Sequence, residues 1–246
     1  PATTPATEPR STISSSTGAR SAIARSTVAT TPLSEPRASA SSMARITPER
    51  TARSTVAGSP GTSRAPVGLV FDDRYLTHNT GIDLIEDVAP WPFAEPVAHV
   101  SSPALVGRAK HLMDLYGVAE RMRRIEPILA TDDQLTVYHT PEYLTRVAAI
   151  AQTDGGDTGS GAPIGRGGDR VARLAAGGTI AAVEAVMRGE VDAAYALVRP
   201  PGHHAMADEG MGFCVFNNAV VAARQAQREH GAERVLILDW DVHHGN

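Results

Sequence analysis

The chain carries one cysteine, Cys214, one lysine, Lys110, and no apolar run near the length of a membrane span. A lone thiol excludes an internal disulfide and fits a reducing compartment. A spanning helix needs roughly 18 consecutive apolar residues, and none is present. Strong positive charge is missing as well. The formal net charge is −4, which argues against nucleic-acid binding by bulk electrostatics. What remains is a chain of 246 residues, long enough for one sizeable α/β domain with a buried core.

The charge is unevenly placed. Residues 1–66 hold eight arginines and three glutamates, five positive charges net, which leaves nine negative charges net on the rest. That segment is built from Ala, Ser, Thr, Pro and Arg without sustained apolar periodicity. It cannot bury enough apolar surface to offset its chain entropy and reads as a disordered tail. Its Arg- and Ser-rich, acid-poor composition is also that of an organellar transit peptide. With no secretory signal visible, the cytoplasm is the default compartment, and an organelle is the alternative if the tail is a targeting segment. The chain opens on Pro1 and stops at Asn246 inside a motif, so both ends read as fragment ends, with Met43 a candidate start.

Order is expected over 67–246. Val67–Phe71 reads as a strand. Ser102-Pro103 opens a helix that ends at Gly117, and Thr140-Pro141 opens another. Thr131 with Gln134 has capping-box spacing. A glycine-rich loop runs from Asp154 to Gly168. A long helix follows, capped near Asp169, whose Gly177-Gly178 pair implies close packing. Ala193–Val198 reads as a strand, Asn217 or Asn218 caps a helix ending at Gly231, and the apolar run Val235–Leu238 reads as a strand buried on both faces. Strands alternating with helices predict a parallel α/β sheet, with ligands at the carboxyl ends of its strands.

Two motifs follow predicted strands. The first is Arg199-Pro200-Pro201-Gly202-His203-His204, a stiff turn presenting two adjacent imidazoles. Histidine suits proton transfer near neutral pH. A pair of merely hydrogen-bonded histidines is the competing reading. The second is Asp239-Trp240-Asp241-Val242-His243-His244-Gly245-Asn246. In extended chain Asp239, Asp241 and His243 share one side. Two acids at the end of an apolar strand are costly to bury uncompensated, so a metal or tight pairing is expected. Catalytic zinc takes three N, O or S protein ligands plus water. A third string, Gly210-Met211-Gly212-Phe213-Cys214, combines a glycine that permits close approach with an aromatic wall.

Taken together, RPPGHHA at 199–205, GFCVFNN at 212–218 and RVLILDWDVHHGN at 234–246 resemble the histone deacetylase and acetylpolyamine amidohydrolase family. GLVFDDRYLTHNTG at 68–81 and VYHTPEYL at 137–144 resemble its class II branch and bacterial relatives. The resemblance covers about 67–246 and none of the tail.

The resemblance implies an arginase/deacetylase-like three-layer αβα fold, of which this chain supplies about the first half. It implies zinc held by Asp241 and His243, with His203 and His204 beside the metal's water. Asp239 matches the acid that orients His203. Asp239, Asp241 and His243 match a monovalent-cation site, which suits potassium. Gly212 and Phe213 match the substrate tunnel, and Asn246 stands where some members carry an aspartate. The implied third zinc ligand and oxyanion-stabilising tyrosine or histidine lie downstream. The implied reaction is hydrolysis of an acyl-amine amide, from acetyl-lysine of a protein or from an acetylpolyamine, with neither nucleic acid nor membrane as partner. A non-catalytic module of the same fold is the alternative. Arginases share the fold with two manganese ions and more acidic ligands, whereas the GHH turn and the lone DxH favour the single-metal enzyme.

Overall fold

A computed structural model describes residues 66–83 and 97–246. The reading of the tail concerns residues that, Pro66 apart, lie outside these. Three parallel strands form the central sheet. Strand β1 (Val67–Val70) lies in the middle. A turn of 3-10 helix at Asp73–Thr77 follows, then a small antiparallel pair, β2 (Ile82–Asp83) and β3 (Val97–Ala98). Helix α1 (Pro103–Leu115) leads to β4 (Arg123–Ile125), which pairs with one edge of β1, Val70 opposite Ile125.

The chain then crosses the sheet. Helices α2 (Asp132–Leu135) and α3 (Pro141–Ala151) precede three short strands, β5 (Gly155–Asp157), β6 (Gly159–Ser160) and β7 (Pro163–Gly165). Helix α4 (Gly168–Met187) returns to β8 (Ala193–Ala196), parallel to the other edge of β1. Strand β9 (Gly210–Met211) and helix α5 (Asn218–His230) complete the regular elements.

Alternation along β1 sets the layers. Leu69 joins Val106, Ala109 and Met113 of α1 on one face. Val70 points the other way, where Gly178 of α4 passes so close that a Cβ there would lie 3.0 Å from Val70 Cγ1. Helix α5 packs outside α4 through Val221, Ala222 and Ala226, in one core with Ala176, Ile180 and Val183. Helices therefore cover both faces of a parallel sheet.

Several helix starts follow from single residues. Thr131 accepts from the Gln134 amide at 3.2 Å while the Gln134 side chain accepts from the Thr131 amide at 3.0 Å. Thr140 caps α3 and Asn217 caps α5 through their side-chain oxygens. Ser102 precedes α1 without a side-chain cap, and Pro103 takes the first helical position, where an amide would have no partner within the helix. Helix α4 starts two residues earlier than expected. Its N-cap is Gly167 in the left-handed region, φ 72°, and Asp169 sits inside the first turn. The glycine-rich loop holds three short strands, made possible by positive φ at Gly155 and Gly161.

One expectation needs correction. Val235–Leu238 forms no strand, and Leu236 and Leu238 are 78% and 61% exposed. An apolar strand is buried on both faces only where a sheet extends past it and helices cover it. Among the described residues, the sheet ends at β8.

Candidate active site

The first motif leaves the carboxyl end of β8 and is fixed at its root by Arg199. That side chain is only 2% exposed, and burial lowers its pKa to about 10, so it stays charged at neutral pH. Its guanidinium donates to the carbonyls of Tyr75, His78 and Ser101 and to Thr80 Oγ1. The charge is thus spread over oxygens of two preceding loops. Asn218 Nδ2 donates to the Pro200 carbonyl at 3.1 Å, and a Cβ on Gly202 would lie 2.5 Å from the Asn218 amide. The turn carrying the histidines is therefore seated on the start of α5.

The imidazoles of His203 and His204 lie side by side, ring centres 4.0 Å apart. His203 Nδ1 meets Asp239 Oδ2 at 2.8 Å. Burial works against ionisation of Asp239, but hydrogen bonds from His203 and from the Asp241 amide outweigh it and hold the carboxyl below its usual range. An ionised Asp239 accepts, so Nδ1 of His203 is the donor. His204 has its pKa lowered, chiefly by burial and then by His203 and His243. It is therefore neutral near pH 7, the state in which an imidazole accepts a proton.

The second motif reaches this place by a bend. Residues 241–243 turn, Asp239 Oδ1 accepts from the Asp241 amide at 3.1 Å, and Asp241 Oδ1 accepts from the His243 amide at 2.9 Å. The shared side expected of extended chain is thus replaced by side-chain-to-backbone bonds. Asp239 turns to His203, while Asp241 turns to His243, with Oδ1 and Nδ1 3.1 Å apart. The His243 amide and imidazole hold Asp241 below the usual carboxyl range. His243 lies 6.0 Å, ring centre to ring centre, from His204. The segment ends clamped on the tandem histidines. The Asn246 amide donates to the His203 carbonyl at 3.0 Å, and its side chain donates to the His204 carbonyl at 2.9 Å. Asn246 is thus placed on the His204 backbone.

Gly212 and Phe213 form the facing wall. Gly212 has φ 51°, and a Cβ on it would stand 2.5 Å from His204 Cδ2. Phe213 is the one non-glycine with positive φ among the described residues, at 70°. Its ring meets the buried His99 edge-on, centroids 4.6 Å apart. Cys214 lies beneath, fully buried, its thiol pKa pushed up to about 12 by burial. That thiol is no nucleophile at neutral pH.

The donor set suits zinc in part. Ligand atoms on a tetrahedral zinc with N and O bonds near 2.0–2.1 Å are about 3.3 Å apart. Asp241 Oδ1 and His243 Nδ1, at 3.1 Å, are nearly so placed. They are two donors, and among the described residues no group of three His, Cys, Asp or Glu is arranged to hold a metal.

His99 and Asp157 were not singled out by the motifs. Asp157 follows a recognisable signal, an aspartate two and four residues before glycines, and its carboxylate organises the glycine-rich loop. His99 carried no such signal, since only the fold brings it to Phe213.

Comparison with known proteins bears on the family and the fold. The chain is 44% identical over 178 residues to the histone deacetylase-like amidohydrolase of Pseudomonas aeruginosa, covering 72% of this chain and 47% of that protein. It is 37% identical over 160 residues to the polyamine deacetylase HDAC10 of Rattus norvegicus, covering 61% and 27%. The crystal structure of the HDA15 HD domain superposes with a TM-score of 0.66 at 34% identity, covering 74% of this chain and 49% of that one. The chain spans about half the length, or less, of these curated relatives. The parallel sheet with helices on both faces is accordingly the α/β arginase/deacetylase fold. The histone deacetylase domain model matches residues 99–246, the stretch that holds the paired His203 and Asp239, the wall at Gly212–Phe213 and the donors Asp241 and His243, and the chain belongs to that family.

Proposed function

We propose that these residues serve zinc-dependent hydrolysis of an acyl-amine amide, from acetyl-lysine of a protein or from an acetylpolyamine. The observation that carries the reading is the His203–Asp239 pair at 2.8 Å, with the His204 ring beside it and Asp241 and His243 on the same segment as Asp239. Asp241 and His243 would hold the zinc. Zinc, when bound, polarises the amide carbonyl and lowers the pKa of water. A structural potassium held by Asp239, Asp241 and His243 is part of the same proposal.

His204 takes a proton from the attacking water on an imidazole nitrogen and returns it to the leaving amine. The amide C–N bond breaks, a C–O bond forms, and the products are a carboxylate and a free amine. His203 stays oriented by Asp239 and supports the charge that develops. Gly212 offers its carbonyl to the substrate amide, and Phe213 lines the path of the acyl-amine chain.

Two protein ligands fall short of the three that a catalytic zinc takes, so residues 1–246 alone are expected to be inactive. The test is acetate release from acetyl-lysine peptide and from an acetylpolyamine, with zinc added or chelated. It compares this chain with a longer one that adds a third acidic ligand. Zinc-dependent release by the longer chain alone supports the reading. Release by residues 1–246 would overturn the inactivity claim, and release by neither would favour a non-catalytic module.

A further inference from the structure

The glycine-rich loop contains two acids, and their surroundings differ. Asp154 is almost fully exposed and, among the described residues, pairs with the exposed Arg166. Asp157 gathers three backbone amides. Its Oδ1 accepts from Gly159 at 3.0 Å and Ala162 at 2.8 Å, and its Oδ2 accepts from Gly161 at 2.8 Å. Thr158 closes the same turn by donating its amide and its hydroxyl to the Ala162 carbonyl, at 3.1 and 2.9 Å.

The turn so fixed lies directly against the wall of the site. Strand β6 runs parallel to β9, Gly159 opposite Gly210, and a Cβ on Gly159 would stand 2.2 Å from the Gly210 carbonyl oxygen. The next two carbonyls receive the wall residues. The Gly212 amide donates to Ser160 O at 3.0 Å, and the Phe213 amide donates to Gly161 O at 2.7 Å. Both wall residues have left-handed backbone, at φ 51° and 70°. For a residue with a side chain that conformation is costly, so Phe213 holds it only while its surroundings insist.

We propose that Asp157 is a positioning residue. Its carboxylate fixes Ser160 and Gly161, and through their carbonyls it holds Gly212 against His204 and Phe213 against His99. The proposal rests on the reading of those two residues as the substrate wall. It assigns Asp157 to substrate binding rather than to the chemical step, since it touches none of the reacting groups.

The test compares the full chain with Asp157→Ala, Asp157→Asn and the control Asp154→Asn. Amide hydrogen exchange at Gly212 and Phe213 is read against Ile180 and Val221 in the α4–α5 core. Exchange at the two wall amides is expected to rise about tenfold or more in Asp157→Ala while the core amides keep their rates. Asp157→Asn keeps one acceptor oxygen and should fall between, so it serves if the alanine variant fails to fold. Asp154→Asn should change nothing. In a chain that turns over, Asp157→Ala should raise KM about tenfold and leave kcat within about twofold. Unchanged exchange at Gly212 and Phe213 in Asp157→Ala overturns the proposal. Raised exchange with an unchanged KM overturns its substrate half. If even the longer wild-type chain shows no turnover, the functional reading falls, and the exchange data alone decide whether Asp157 holds the wall.

Discussion

Gly212 lies against the imidazole of His204, with room for a hydrogen and no more, since a Cβ would come within 2.5 Å of Cδ2. The clash falls on a group that the proposed chemistry needs in place. Gly212→Ala must either displace His204 or shift a backbone already at φ 51°. The expected outcome is a loss of stability of about 1–3 kcal/mol in urea denaturation. Turnover in an active, longer chain should fall by more than that loss explains. Wild-type kinetics from Gly212→Ala would show the contact to be unimportant.

The same substitution should have opposite signs on two helices. Alanine is preferred over glycine in a helix by about 1 kcal/mol. At Gly107 in α1 the added Cβ would meet Leu76 at an ordinary 3.7 Å, so Gly107→Ala should stabilise by nearly that amount. At Gly177 in α4 it would stand 2.0 Å from the Ile128 carbonyl oxygen. Overpacking costs about 1–3 kcal/mol, which outweighs the propensity gain. Gly177→Ala should therefore lower the urea midpoint and Gly107→Ala should raise it.

Two buried histidines make the fold acid-sensitive. His78 has its pKa lowered to about 3, first by burial and then by Arg199 and His99. Burial lowers His139 to about 4. The ring of His139 accepts from the Asn217 amide at Nε2 and meets the Ala207 carbonyl at Nδ1, so its neutral form is built into the turn. Both folded pKa values lie below the unfolded value near 6.5, so their stabilisation is complete above it and drains as pH falls through 6.5 toward 4 and 3. For His139 this amounts to about 3 kcal/mol over the whole window. Unfolding free energy measured from pH 7 to 5, where few carboxylates titrate, should slope downward. The slope should be shallower in His139→Gln.

The Asp239 carboxylate should matter to chemistry more than to folding. It is partly exposed and its bond to His203 is local to the site. In a zinc-loaded, active chain, Asp239→Asn is expected to reduce acetate release by about 10–100-fold. The thermal midpoint should move by a few degrees at most. A large fall in midpoint with unchanged turnover would make Asp239 a structural residue instead.

Much of this was legible in the order of residues, where the cause is local. Thr131 with Gln134, Thr140 before Pro141 and Asn217 mark helix starts because capping is a matter of three or four neighbours. The Gly177-Gly178 pair announced close packing, and Ile128 and Tyr75 provide it. The two histidine-bearing motifs marked the site. What sequence could not supply was distance along the chain. Arg199 binds carbonyls some 100 or more positions away. The His99–Phe213 contact is likewise made only by the fold. The apolar run at Val235–Leu238 misled for the same reason, since burial of a strand is decided by what lies beside it.

That run has a practical side. Leu236, Ile237, Leu238, Trp240 and Val242 all present substantial surface to solvent within one short segment. Short segments of this composition, without proline, are the raw material of self-association between chains. Asp239 and Asp241 interrupt it with charge, and neutralising them by substitution removes that interruption. Residues 1–246 carrying Asp239→Asn and Asp241→Asn should therefore scatter light at a lower concentration than the unsubstituted chain. A charged substitution at Ile237 should keep it clear.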